Sequence, residues 1–305
     1  MPQYSVVVPV FNGAATIEGL CRKINDFFIL QKLSFEIIFV DDASKDNSWQ
    51  LLKLLKNQYS GTVKIFRLAR NSGQQKATLC GINQASGKYI ITIDDDLQTD
   101  PFEIKKLIVH QQQTNADLVY GTYIIKRHNF FRNIGSRMVN WFFHNFSSTY
   151  NNGSSFRLIK KEITDNLKNI YQRNLLLDEI LCWYTDNISH TTVLHQESAK
   201  GKSQYSTIKL VLITLSYIIS YTIIPLRLMT YMGLFFSIIT FFFGLYFIYQ
   251  KFFGYVELGF TSLIVAISFS TSLILFALGI IGEYVTRIYS KDSSKPIYVI
   301  KEYEV

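Results

Sequence analysis

Cysteine and histidine are scarce in this chain, with three Cys and five His among 305 residues. Cys21, Cys80 and Cys182 sit unevenly spaced in apolar surroundings and read as core thiols of a reduced compartment. No Cys or His falls at metal-ligand spacing and no HExxH string occurs, so thiolate and imidazole metal sites are not expected. The start, Met1-Pro2-Gln3-Tyr4-Ser5, lacks a basic region and a long apolar run, so no cleaved signal peptide is expected. Charge itself thins out after Lys209, where Phe, Ile, Leu and Tyr crowd together.

What charge remains leans basic: 31 Lys and Arg against 23 Asp and Glu, a net +8. Lys200, Lys202, Lys209 and Arg227 precede the apolar block, and Arg287, Lys291 and Lys295 follow it. That placement suits an anionic membrane face. A nucleic-acid partner is not expected, because basic residues are not interleaved with aromatics on a soluble face.

The first half alternates strands and helices. Strands are expected at 4–10, 35–40, 63–68, 89–93 and 117–121, and a turn and strand at 151–159. Helices are expected at about 16–28, 48–57 (capped by Asp46 or Asn47), 70–84 and 101–112. This rhythm predicts an α/β fold with a mostly parallel, doubly wound sheet. Right-handed crossovers then bring Asn12-Gly13, Asp41-Asp42, Asn71-Ser72-Gly73 and Asp94-Asp95-Asp96 to one sheet edge. Such an edge suits a charged, hydrogen-bonding small ligand.

The most telling stretch is Tyr89-Ile90-Ile91-Thr92-Ile93-Asp94-Asp95-Asp96-Leu97-Gln98. An uncharged strand runs into three carboxylates, which repel unless a cation or a set of donors receives them. Mg²⁺ or Mn²⁺ prefers oxygen ligands and commonly bridges carboxylates to substrate phosphates. A solvated acidic turn is the competing reading. Two other places are open in the same way. Lys126, Arg127, His128, Arg132 and Arg137, with Phe130 and Phe131, form either a solvated helix face or a set of phosphate-facing cations. Asp178 and Glu179, in an apolar run, either face solvent on a helix or act in catalysis.

Two uncharged runs, 228–250 and 258–282, are each long enough to cross roughly 30 Å of hydrocarbon. The link between them carries one basic and one acidic residue whereas both outer flanks are basic, so a hairpin with the soluble domain and the C-terminus cytoplasmic is expected. Between Lys209 and Arg227 lie about 17 uncharged residues, marginal for a span; lying in the interface is the better reading, and spanning stays open.

The strings VVVPVFN, FVDDASKDNS, RNSGQQKATLCGI and TIDDDLQTDP, in this order, resemble the family 2 glycosyltransferases with a GT-A fold. PLRL before the first apolar run, LGIIGEYVTRIY closing the second and the tail KPIYVI resemble the polyprenyl-phosphate branch of that family. That branch holds the dolichol-phosphate mannose synthases and bactoprenol glucosyltransferases. The resemblance covers nearly the whole chain. It implies a catalytic domain over 1–202, interfacial helices over 203–227, two transmembrane helices within 228–286 and a cytoplasmic tail over 287–305. It also implies residence in the inner membrane and a homo-oligomer, a tetramer in this branch.

By the same resemblance, Asp41 and Asp42 hold the nucleotide base, Pro9 and Phe11 line its pocket, and Asn71 and Lys76 belong to the loop beside it. Asp94 and Asp96 match the DxD pair, with Asp95 between them in the nucleotide-sugar site. Asp94 falls near the ribose, and Asp96 with Gln98 at the Mg²⁺ or Mn²⁺ ion. The implied reaction is inverting transfer of a hexose from a UDP- or GDP-sugar to undecaprenyl phosphate. Arg127, Arg132, Arg137, Lys200 and Lys202 are candidates to position that lipid phosphate.

Three departures from the family pattern bear on the base. Ser155 stands where an acid is usual, Tyr123 where an Arg is frequent, and Ser198 where a basic residue precedes the GxS motif. Either the phosphate acceptor, already an anion, needs no strong base, or Asp178 or Glu179 supplies one. In the second case the acceptor would be a hydroxyl on a lipid-linked glycan. The polyprenyl phosphate is the favoured acceptor, because the apolar hairpin matches that branch.

Overall fold

The structure is a computed structural model that describes residues 2–123, 154–169, 177–194, scattered positions between 231 and 253, 260–292 and 296–305. The expected juxtamembrane segment 203–227 lies outside the described residues. The chain divides into two compact units, one comprising Met1–Ser203 with Lys295–Val305 and the other Gln204–Ser294.

The first unit is built on an eight-stranded mixed sheet. In chain order its elements are β1 (Tyr4–Val10), α1 (Ile17–Leu30), β2 (Phe35–Asp41), α2 (Ser48–Gln58), β3 (Val63–Leu68), α3 (Gln74–Gln84) and β4 (Tyr89–Thr92). A 3-10 turn (Pro101–Glu103) leads into α4 (Ile104–Thr114), then come β5 (Leu118–Tyr123), β6 (Arg157–Lys160) and α5 (Lys161–Asp165). A second 3-10 turn (Asn166–Asn169), α6 (Leu177–Tyr184), β7 (Ile188–Val193) and the C-terminal β8 (Ile300–Glu304) complete it. The strand order is β7-β5-β6-β4-β1-β2-β3-β8.

The four strands β3, β2, β1 and β4 run parallel, as the alternation of strands and helices requires. β6 and β8 run antiparallel to their neighbours, so the sheet is mixed rather than purely parallel. Every residue of β1 is buried, as a central strand covered on both faces should be. Val6, Val8, Ile37, Phe39 and Ile91 pack with α1 and α2 on one face. Val7, Ile38, Val40 and Ile90 pack with α3 and α6 on the other.

Strand order reverses between β1 and β4, the place where open α/β sheets leave a crevice at their carboxyl ends. Pro9 helps to make it. Pairing of β1 with β4 ends at Val7–Thr92, and the Val7 carbonyl accepts the Ile93 N–H at 3.1 Å. Pro9, two residues on, faces the same side past the end of β4, so its missing N–H leaves no gap in the ladder.

Boundaries of α1 to α4 follow the sequence closely. At α2, Asn47 holds the N-cap position without a side-chain bond, and it is Asp46 that accepts the Ser48 N–H at 3.1 Å. Asp100 caps the turn before α4, accepting from Phe102 N at 3.0 Å with Pro101 in the first position. The three cysteines are free and buried.

In the second unit every described residue from 231 to 253 is helical, and α7 (Phe260–Asp292) runs 33 residues. Among the described residues no helix is long and apolar enough to cross a membrane, so the structure does not establish the two-helix hairpin expected over 228–250 and 258–282.

Candidate active site

The floor of the crevice is two loops laced together. After β1, Asn12 N donates to Ser44 Oγ at 2.9 Å, Gly13 N to Ser48 Oγ at 2.9 Å and Ala14 N to Asp46 Oδ2 at 3.1 Å. In return Lys45 N donates to Asn12 Oδ1 at 2.9 Å, and Asp42 N to the Val10 carbonyl at 2.8 Å. Asn12, Ala43 and Leu97 all take left-handed backbone conformations, with φ of 52°, 56° and 59°. Each lies just beyond a strand tip of the crevice. For alanine and leucine this geometry is costly and persists only where surrounding bonds fix it.

Asp41 ends β2 and Asp42 follows it, both buried. Asp41 Oδ1 accepts from Ser44 N at 3.1 Å, and the Arg67 guanidinium lies 3.2 Å from its Oδ2. Asp42 Oδ1 accepts from Ser72 N at 2.7 Å and Oδ2 from Gly73 N at 2.8 Å. Asp42 therefore also anchors the loop entering α3, a role the sequence reading does not contain. Burial raises its pKa, with the Asp41 charge adding, against the two N–H donors and Lys76. Pro9 is buried in β1, and the Phe11 ring and Asn71 stand exposed at the rim.

The three acids leave β4 on the other side of the crevice. Asp94 accepts from Gln74 Nε2 at 2.6 Å and from Ser155 Oγ at 2.7 Å. Asp95 Oδ2 accepts from Phe11 N at 3.3 Å, and Asp96 Oδ1 from Gln98 N at 3.0 Å. Burial raises the Asp94 pKa; Asp96 and Asp95 push it further, against Ser155 and Arg157. Among the described residues no group of three or more His, Cys, Asp or Glu side chains is arranged to hold a metal ion by itself. A magnesium-type ion does not need one, since one or two carboxylates usually share it with substrate phosphates and water. An all-oxygen donor set fits such an ion, with Asp96 as its carboxylate and Gln98 beside it.

Beside the acids runs a buried polar chain. Arg157, 2% exposed, donates from Nε to Thr92 Oγ1 at 3.1 Å and from its guanidinium to Asp178 Oδ1. Tyr120 Oη donates to the same Asp178 oxygen at 3.0 Å, and Thr92 Oγ1 in turn bonds the Ser155 carbonyl. Asp178 is thus a partner of a buried cation rather than a solvent-facing carboxylate. Its neighbour Glu179 has a carboxyl pushed up to about 7 by burial. The start of α6 is tied to α3 by Leu177 N donating to Gln75 Oε1 at 3.3 Å.

Of the residues expected at the site, Pro9, Phe11, Asp41, Asp42, Asn71, Asp94, Asp95, Asp96 and Gln98 lie on the strand tips and loops of this one edge, and Lys76 in the first turn of α3. Arg127, Arg132, Arg137, Lys200 and Lys202 lie outside the described residues. The sequence reading misses Gln74, Arg67 and Arg157. A lone Arg between Phe156 and Leu158 in an apolar strand was the available signal, because a buried guanidinium requires a partner.

A parallel-sheet crevice at a topological switch point, carrying three carboxylates, defines a site for a charged small ligand that a divalent cation can bridge. The comparisons with known proteins narrow the class. Residues 5–179 match the model of glycosyl transferase family 2, and the chain belongs to that family. It is 34% identical to a bactoprenol glucosyl transferase of Shigella phage SfV, over 97% of each chain. It is 30% identical to the undecaprenyl-phosphate 4-deoxy-4-formamido-L-arabinose transferase of Yersinia pestis, over 98% of this chain and 92% of that one. In fold it is similar to glucosyl-3-phosphoglycerate synthase of Mycobacterium tuberculosis, solved with Mn²⁺, UDP and phosphoglyceric acid. That match has a TM-score of 0.51 at 18% identity and covers 72% of this chain and 76% of the other.

Proposed function

We propose that this protein transfers a hexose from a nucleotide sugar to a polyprenyl phosphate, with inversion, at the cytoplasmic face of the inner membrane. One observation carries the acceptor. The two relatives named above differ in the sugar they are named for, yet both are named for a polyprenyl carrier, and both match this chain almost end to end.

The donor half rests on the crevice. Asp41 and Phe11 frame the nucleotide side, and Asp94 to Asp96 face the position of its phosphates. Mg²⁺ or Mn²⁺, when bound by Asp96 with Gln98, supplies positive charge against the departing diphosphate. Gln74 and Ser155 fix the Asp94 carboxylate through its two oxygens. In the reaction an oxygen of the acceptor phosphate bonds to the anomeric carbon. The bond from that carbon to the donor's diphosphate oxygen breaks, and its electron pair leaves with the nucleoside diphosphate. The attacking phosphate is already an anion near neutral pH, so no side chain has to remove a proton. That agrees with a neutral Ser155 beside Asp94 and with Asp178 committed to Arg157.

The membrane part of the proposal is supported by the second unit. In the sequence no charged residue interrupts 228–250 or 258–282. Tyr231, Phe235, Ile238, Phe242, Leu263 and Phe276 are among the large apolar side chains the unit leaves exposed.

The test is product formation by purified full-length protein given polyprenyl phosphate, Mg²⁺ or Mn²⁺, and a panel of radiolabelled nucleotide sugars. A labelled, acid-labile lipid made from one donor is expected. Donor hydrolysis without lipid product, together with transfer to a lipid-linked glycan hydroxyl that Glu179→Gln abolishes, would overturn the acceptor assignment.

A further inference from the structure

After the long apolar helix the chain returns to complete the sheet of the first unit. β8 pairs antiparallel with β3, and the Val299 carbonyl accepts Ala69 N at 2.8 Å. Tyr298 Oη accepts from Asn83 Nδ2 of α3 at 3.0 Å, while Ile297, Tyr298 and Ile300 pack against the core on that face. The strand also covers an edge that would otherwise present unpaired backbone groups.

Its register places a charge where it matters. Arg67 of β3 stands opposite Asp41 on β2 and opposite Glu302 on β8, so three charged residues line up across three adjacent strands. Arg67 Nε is 3.2 Å from Asp41 Oδ2, and its Nη1 is 3.8 Å from Glu302 Oε1. The guanidinium carbon lies 5.6 Å from the centroid of the Trp49 ring. Trp49 in turn donates from Nε1 to Glu302 Oε2 at 3.1 Å. Among the described residues Asp41 Oδ2, fully buried, receives no hydrogen bond, so its ion pair with Arg67 is what holds it. A carboxylate buried to that degree depends on its counter-cation.

We infer that Glu302 is a positioning residue of the donor pocket: the C-terminal strand holds Arg67, Arg67 holds Asp41, and the tail thereby tunes affinity for the nucleoside diphosphate part of the donor. The inference rests on the reading that Asp41 faces the nucleotide. It makes the segment beyond the apolar helix part of the binding machinery rather than a trailing end.

The experiment titrates full-length protein in detergent with UDP and with GDP in the presence of Mn²⁺. It compares wild type with Glu302→Gln, Glu302→Lys, Glu304→Gln and Asp41→Asn. Glu304, which shares Lys53 with Glu302 (3.8 and 3.7 Å) but has no ion pair with Arg67 among the described residues, is the control on the same strand. Glu302→Gln keeps an acceptor for Trp49 but loses the charge, and should weaken nucleotide binding about threefold, the scale of a partly exposed ion pair. Glu302→Lys should weaken it further, and Glu304→Gln should bind as wild type. In turnover the loss should appear in KM for the sugar nucleotide, with kcat and KM for polyprenyl phosphate unchanged. Wild-type nucleotide affinity in both Glu302 variants beside weak binding by Asp41→Asn would overturn the inference. So would lowered thermal stability and kcat at unchanged affinity, the pattern of a merely structural strand. Wild-type binding by Asp41→Asn would instead remove the pocket reading beneath it, and the inference with it.

Discussion

Replacing Asp178 distinguishes a carboxylate that holds the site together from one that takes a proton. Its Oδ1 receives both Arg157 and Tyr120, and the side chains of the ion pair are 2% and 14% exposed. Asp178→Asn strips the counter-charge from a buried guanidinium, at a cost of about 3–5 kcal/mol. The compact unit has roughly 200 residues, where each kcal/mol moves Tm by about 2–4 °C. A fall of about 10 °C is therefore expected, read as the Tm of full-length protein in detergent. The double variant Arg157→Met, Asp178→Leu removes both charges and leaves the Tyr120 hydroxyl without its acceptor, at about 1 kcal/mol. It should recover most of the lost Tm and retain transfer. A double variant as stable as wild type yet inactive, with Asp178→Asn within about 2 °C of wild type, would refute the structural assignment.

Asp94→Asn tests the charge held by the acidic cluster. Its folded pKa lies above the ordinary aspartate value of 3.8, so its contribution to stability is complete below that value and is lost as pH rises through the folded pKa. At pH 7 the metal-free variant should melt above wild type, at pH 3.5 alongside it, and Mn²⁺ should raise the wild-type Tm more than that of the variant. Glu179, raised by burial from 4.5 to about 7, follows the same sign. Glu179→Gln should gain on wild type in thermal melts at pH 8.5 and match it below about 4.5; a pH-independent difference would contradict the burial argument. Gly13→Ala would set a Cβ 2.4 Å from Asp95 Oδ2 and 3.2 Å from Val10 Cγ1. Displacing Asp95 should cost about tenfold or more in transfer rate for a destabilisation of about 1–3 kcal/mol, so unchanged kinetics would show that Asp95 is free to shift.

The parallel half of the fold was legible because each of its elements announces itself locally. Val6 to Val10 and Ile37 to Val40 are uncharged runs that only a doubly covered strand explains, and Asp41, Asp94 and the residues after Asn12 mark their tips. β7 and β8 were not legible. Ile188-Ser189-His190-Thr191-Thr192-Val193 is half polar because it lies at a sheet edge, and Ile300 to Glu304 alternates with charge for the same reason. Edge strands take their identity from a partner distant in sequence, as Glu302 does from Arg67. The same limit hid the ion pair of Arg157 with Asp178, whose members stand 21 residues apart and meet across the second core. Asp42 illustrates the converse: its position at a strand tip was readable, but its two bonds to Ser72 and Gly73 belong to a loop geometry no local pattern specifies.

The carboxylates of the crevice divide by what satisfies them. Asp42 and Asp46 are held by backbone N–H groups, and Asp41 and Asp178 by guanidinium groups in the chain's own core. Those acids have their charge or lone pairs met within the chain, so they shape the crevice without calling for a cation. Asp94, Asp95 and Asp96 receive a Gln amide, a Ser hydroxyl and two backbone donors, all of them neutral. Neutral donors orient a carboxylate without cancelling its charge, and burial, with Asp96 and Asp95 adding, raises the Asp94 pKa. A bound cation would add compensation that these neutral donors do not supply. Since the described side chains do not form a three-ligand cage, a cation there depends on phosphate oxygens as well. Charge deficit in the protein and charge excess in the donor thus make the cation and the nucleotide sugar bind as a pair, each raising affinity for the other by the same factor.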